Sequence, residues 1–196
     1  MVRKVVVLLV VSFLLAGCAV KRPQMSREEW LETTSRDYQG VTKEQSLAAA
    51  EKLLRLTDGD DFRIMHTEEG IYAVRNWIVY IVFAGANGVD YWSIKSTPTE
   101  SGVRMSVQVN TQMSTVAPVA TMAGDWSASS SSMGGAPVEG TAVYDLFWAR
   151  MDYLLNKNAV WTTCDIANKK VKDNLVWGSN EQLCNSFNVK DSPPDA

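Results

Sequence analysis

The chain predicts an α+β fold: an antiparallel sheet of about four strands with flanking helices, followed by a C-terminal extension. Three observations carry this. From Val103 to Met113 the residues alternate with period two, apolar Val103, Met105, Val107 and Val109 against polar Arg104, Ser106, Gln108, Asn110 and Gln112. That is an antiparallel strand with one wet face. Apolar residues recur at helical spacing before the strand region, in 42–56, and after it, in 141–156. A sheet with one polar face and helices packed on the other satisfies both patterns.

The first element is a leader. Arg3 and Lys4 precede an apolar run from Val5 to Leu15 that is too short to span a bilayer, and small residues then lead to Cys18. Leu15-Ala16-Gly17-Cys18 resembles the lipobox of bacterial lipoproteins. The resemblance implies a signal peptide over 1–17, cleavage before Cys18, and lipidation of Cys18 with acylation of its new amino group. Alanine at position 19 resembles the lipoproteins passed on to the outer membrane, where the chain would face the periplasm. Two or three acyl chains make such an anchor stable at about 0.8 kcal/mol per buried methylene. In that oxidising compartment Cys164 and Cys184 form an even pair and are expected to be bridged, stapling the extension 159–196.

Residues 18–41 read as a lipidated tether and arm. Ser26 to Glu29 fits a capping box, starting either a short helix or an extended arm pinned by Trp30. The α+β domain is expected over 42–158. Thr42 and Gln45 make a second capping box, opening a helix to about Leu56, and Asp58-Gly59-Asp60 ends it with turn chemistry. Phe62–His66 and Ile71–Arg75 alternate as a strand pair around Glu68-Glu69-Gly70. Trp77 to Phe83 is apolar on both faces, so periodicity leaves strand and helix open, and its β-branched and aromatic content favours a strand. Gly85 to Gly88 reads as a turn, Val89 to Ser96 as the next strand, and Pro98 to Gly102 as a hairpin loop. Residues 114–140 are rich in Ser, Gly and Ala and lose all period, which predicts a long loop. Its tryptophan, Trp126, either folds back onto the domain or anchors a partner. Cys164 opens a short helical pattern, and Ser179 to Gln182 repeats the capping-box spacing.

The formal charge of −3 becomes −5 once Arg3 and Lys4 leave with the leader, so nothing favours nucleic acid or an anionic surface. Asp58, Asp60 and Asp61 do not match a calcium loop. Two cysteines and the single histidine, His66, are too few for zinc. Met105, Met113, Met122 and Met133 are soft ligands, but two of them belong to the core face of a strand rather than to a copper site. His66 has no nucleophile elbow to serve, and the carboxylates around the strand ends read as solvated turns rather than a glycosidase pair. No cofactor, metal or enzymatic activity is expected.

The order of elements over 42–156 resembles the helix-grip domains of some outer-membrane lipoproteins, which implies the fold class above and carries no binding residues. The expected function is a non-enzymatic, lipid-anchored periplasmic binding or scaffold module with an envelope protein as partner. Its contacts would be the exposed strand face (Arg104, Gln108, Gln112) or Trp126. The alternative is a carrier of a lipid or small hydrophobic ligand, with a pocket between helix 141–156 and the sheet lined by Trp148, Phe147 and Met105. An envelope hydrolase is the third reading.

Overall fold

The computed structural model describes residues 23–58, 61–81, 84–120, 126–156, 160–184 and 191–194, without the side chains of 81, 117–120 and 126–133. Cys18 and the expected leader therefore lie outside the described residues. The chain divides into two compact units, Met1–Trp30 and Leu31–Ala196.

In the first unit the capping box at Ser26 is made. The Ser26 amide donates to Glu29 Oε2 at 2.6 Å and the Glu29 amide donates to Ser26 Oγ at 3.2 Å, opening helix α1 (Arg27–Thr34). These bonds hold the Glu29 carboxyl below its ordinary pKa.

The second unit is α+β with an antiparallel open sheet of six strands. The expected four understates it, and the two additions come from stretches without a readable strand pattern. The first is β1 (Ser35–Gln39), inside the expected arm, whose polar sequence alternates around only one apolar residue, Tyr38. The second is β6 (Trp126–Pro137), inside the expected loop. Its small uncharged residues carry no propensity, and pairing with β5 supplies the order.

Helix α2 (Lys43–Asp58) begins at the predicted box: the Thr42 amide donates to Gln45 Oε1 at 2.9 Å and the Gln45 amide to Thr42 Oγ1 at 3.2 Å. It buries Ser46, Ala49, Ala50, Leu53, Leu54 and Thr57. Strands β2 (Phe62–His66), β3 (Gly70–Ile81), β4 (Ala84–Pro98) and β5 (Gly102–Ala120) form a meander, and the spatial order is β1-β5-β4-β3-β2. Strand β5 is long enough to take two partners on one side, β1 along Gly102–Ser106 and β6 along Asn110–Ala120.

Trp77 onward is strand, and the turn expected at Gly85 to Gly88 is not there. Those residues run inside β4, because Gly88 faces Trp77 and Gly85 faces Tyr80 across the β3–β4 pair. A Cβ on Gly88 would stand 2.3 Å from Trp77 Cζ2 and 2.5 Å from the Gln112 carbonyl oxygen, so the small residue makes room for the ring.

Helix α3 (Ala142–Leu154) buries Val143, Leu146, Phe147, Trp148 and Met151. With α2 it meets the core face of the sheet, formed by Ile71, Ala73, Trp92, Ile94, Val103, Met105, Val107 and Val109, all buried. Trp92 packs on Phe147 at 5.8 Å between ring centroids, and Phe147 meets Trp148 edge-on at 4.9 Å. The stretch 33–38 latches onto α3: Trp148 Nε1 donates to the Thr33 carbonyl at 2.8 Å, and Arg36 and Tyr38 both donate to Asp152.

Helix α4 (Cys164–Lys172) is capped by Thr163, whose hydroxyl oxygen accepts from the Ile166 amide at 3.3 Å. The Cys164–Cys184 disulfide is present, with a Cα–Cα distance of 5.7 Å. The capping-box spacing at Ser179 to Gln182 opens a turn, in which Ser179 Oγ accepts from the Glu181 amide. Buried Arg150 reaches from α3 into this extension, donating to the Thr162 carbonyl at 3.1 Å and to Asp191 at 2.9 Å while lying 4.8 Å from the Trp161 ring. No helix among the described residues is long and apolar enough to cross a membrane.

Candidate functional site

Two surfaces stand out on this scaffold. The first is the sheet face turned away from the core. Period two places Tyr72 of β3, Tyr91 and Ser93 of β4, and Arg104, Gln108 and Gln112 of β5 on it. Arg104, Gln108 and Gln112 are exposed, as the strand pattern predicts. Tyr72 and Tyr91 stack at 6.4 Å with 24° between their planes, and the Tyr91 hydroxyl reaches Gln112 Oε1 at 3.5 Å. Arg104 approaches Asp37 of β1 at 3.7 Å, an exposed pair of small energetic worth. At the same end of the face as Arg104, Lys95 pairs with Glu69 and holds that carboxyl below its ordinary pKa. Trp126 begins β6, on the opposite side of β5 from β4; the surroundings of its ring are outside the described residues.

The second is a groove of about 650 Å³ on the core side of the sheet, past the helix layer. Trp77, Val79 and Met113 make an apolar wall, and Val171, Lys172 and Asn180 of the extension stand opposite. Its floor is a buried polar network. Arg75 Nη2 donates to Asp90 Oδ2 at 2.7 Å and to the Glu181 carbonyl at 3.3 Å, and Nη1 donates to Asp58 Oδ2 at 3.4 Å. Thr111 Oγ1 donates to Asp90 Oδ1 at 2.8 Å and accepts from Gln182 Nε2 at 3.3 Å. The Arg75 guanidinium also lies 5.6 Å from the Phe62 ring centroid. One guanidinium between two carboxylates, all nearly buried, leaves the cluster negative when every group is charged.

Asp58 is thus no solvated turn residue; it closes α2 from inside the network, at 6% exposure. Neither Arg75 nor Asp90 is singled out by motif. A signal for them exists, since period two sets Arg75 on the same side as Ile71 and Ala73, a charge on a core face. His66 sits at the end of β2, largely exposed, 3.1 Å from Glu51. Among the described residues no group of three or more His, Cys, Asp and Glu could hold a metal.

The pocket of the alternative carrier reading, under helix 141–156, is occupied by protein. Trp148, Phe147 and Met105 are 3%, 0% and 0% exposed and pack as core. The concave apolar surface lies instead along Trp77, Val79 and Met113.

The scaffold defines a class, an α+β domain with helices on one face of an open antiparallel sheet and a disulfide-bridged extension. No protein-family model, curated protein or solved structure matches the chain.

Proposed function

We propose that the chain is a non-enzymatic binding or scaffold module of the bacterial cell envelope, tethered to the outer membrane by acylated Cys18 and facing the periplasm. The carrying observation is the outer sheet face, where Gln108 and Gln112 stand exposed beside the Tyr72–Tyr91 stack. Rigid aromatics flanked by amides that both donate and accept suit recognition of a protein surface. Photo-crosslinkers at Gln108 and Gln112 in intact cells are expected to capture one envelope protein that a crosslinker at Lys169 of α4 does not. Identical products from all three positions, or none from any, would refute the reading.

The groove supports a second reading, a carrier of a lipid or small hydrophobic ligand bound against Trp77, Val79 and Met113. Native mass spectrometry of protein purified without detergent distinguishes it: a retained ligand lost on Val79→Asp supports the carrier, and bare protein opposes it.

A further inference from the structure

We infer that the far end of the sheet is one segment of a membrane-spanning β-barrel built from several copies of this chain, with β6 of each copy pairing to β3 of the next. The inference uses neither the outer-face partner nor the groove ligand, and it stands if both fail.

The argument starts from where charge stops. Arg75 on β3 and Asp90 on β4 are direct register partners, and Asp90 faces Thr111 on β5. Past that level the sheet continues as four strands, β3, β4, β5 and β6. No Lys, Arg, Asp or Glu occurs from Asn76 to Val89, from Thr111 to Gly124 or from Trp126 to Val138. At the chain's 21% of charged residues, roughly nine would be expected over these stretches. Sheet edges that face water are ordinarily guarded by charge, lysine above all, and these are not. Apolar side chains are exposed on the extension instead: Ile78 is 57% exposed, Tyr80 80% and Val116 47%. Tyr80 and Val116 share a rung through Gly85.

The dimensions fit a bilayer. From Arg75 to Ile81, the last described residue of β3, is six residues, on the order of 20 Å at about 3.3 Å each. From Thr111 to Ala120 of β5 is nine, on the order of 30 Å. The strands thus bracket the apolar band of an outer-membrane barrel, about 25 Å tall.

Topology then requires further copies. Among the described residues β2 pairs β3 only up to Arg75, so Asn76 to Ile81 has one paired side, and β6 pairs only β5. Open edges are not tolerated in hydrocarbon, and four strands are too few to close on themselves, since the smallest such barrels have about eight. The occupant of each edge is a second copy. Because β3, β4, β5 and β6 alternate in direction, β6 of one copy lies antiparallel to β3 of the next, and the repeat closes as a head-to-tail ring of even strand number.

The test uses full-length protein extracted from membranes in mild detergent. Tyr80→Cys is combined in turn with Ser127→Cys, Ser129→Cys, Ser130→Cys and Ser131→Cys, and the variants are oxidised and sized by mass. A ladder of covalent multimers from at least one pairing, with a particle mass of several chains, is the expected result. A monomer, or a multimer that no pairing cross-links, overturns the inference. Thr115 and Val116 lie on opposite faces, so Thr115→Lys and Val116→Lys each place a charge on one of them, and one must meet lipid. Loss of the ladder in at least one variant, with the Cys164–Cys184 bridge intact as the sign of a folded domain, supports insertion. A ladder unchanged in both means that the copies assemble in water, and also overturns it.

Discussion

Arg75 and Asp90 stand directly opposite each other on β3 and β4, joined at 2.7 Å, with side chains 3% and 2% exposed. Removing both from water is costly, and the neighbours offset the cost. Asp58 gives a second carboxylate, the Glu181 carbonyl another acceptor, and Thr111 a donor to the carboxylate oxygen that Arg75 leaves free.

Breaking this pair from one side strands a buried charge. Arg75→Ala is expected to lower stability by about 3–5 kcal/mol, read as a lower urea midpoint. The apolar triple replacement Arg75→Met, Asp58→Leu, Asp90→Leu should recover most of that loss. A triple variant no more stable than Arg75→Ala would mean that the charges themselves hold the sheet together.

Among the described glycines past the Arg75–Asp90 level of the sheet, Gly88 has the least room. Gly88→Val forces the Trp77 ring or the β5 backbone to move and should cost about 1–3 kcal/mol. Gly134→Ala is the contrast, because a Cβ there meets nothing within 4 Å, and its effect should stay within about 0.5 kcal/mol. Equal thermal shifts for the two variants would show that Trp77 does not rest on Gly88.

Reduction of Cys164–Cys184, or Cys184→Ser, frees a loop with a sequence separation of 20. The expected loss is on the order of 3 kcal/mol. It should be accompanied by faster amide exchange in 160–184, where Arg150 donates to the Leu183 carbonyl at 3.4 Å. Protection that stays constant on reduction would assign the holding role to Arg150 alone.

Two buried tyrosines set an alkaline limit. Burial raises Tyr144 to about 12, and burial together with the Asp152 carboxylate raises Tyr38 as well. Above pH of about 10 the unfolded chain releases phenolic protons that the folded chain retains, so stability is complete below that value and declines above it. Tyr144→Phe should flatten the decline of the melting temperature between about pH 10 and 12. An unchanged slope would remove Tyr144 from the account.

What the sequence made readable was whatever a short window can hold. The boxes at Ser26 and Thr42 are made by residues three apart, and the alternation of Val103 to Val109 is a local record of burial on one side. The polar face at Gln108 and Gln112 follows from the same alternation. Strand β6 was unreadable because its order comes from β5, and serine, alanine and glycine leave no periodic trace of that pairing. The buried network was missed for a related reason. Asp58 looks like a turn residue beside Gly59, and only the fold brings Arg75, Asp90 and Gln182 around it. The aromatic stripe at Trp148 fills the core rather than lining the alternative pocket, and such a stripe reads the same in either case.

The Glu181 carbonyl that closes over Arg75 comes 106 residues later in the chain. A polypeptide emerging from its amino end therefore exposes Asp58, Arg75 and Asp90 long before their cover has been synthesised. Strands β3 and β4 can pair early, but the guanidinium stays hydrated until the last segment arrives. Completion of this domain is thereby timed by its carboxyl end, and a chain cut short before residue 181 would keep a wet seam through an otherwise finished sheet.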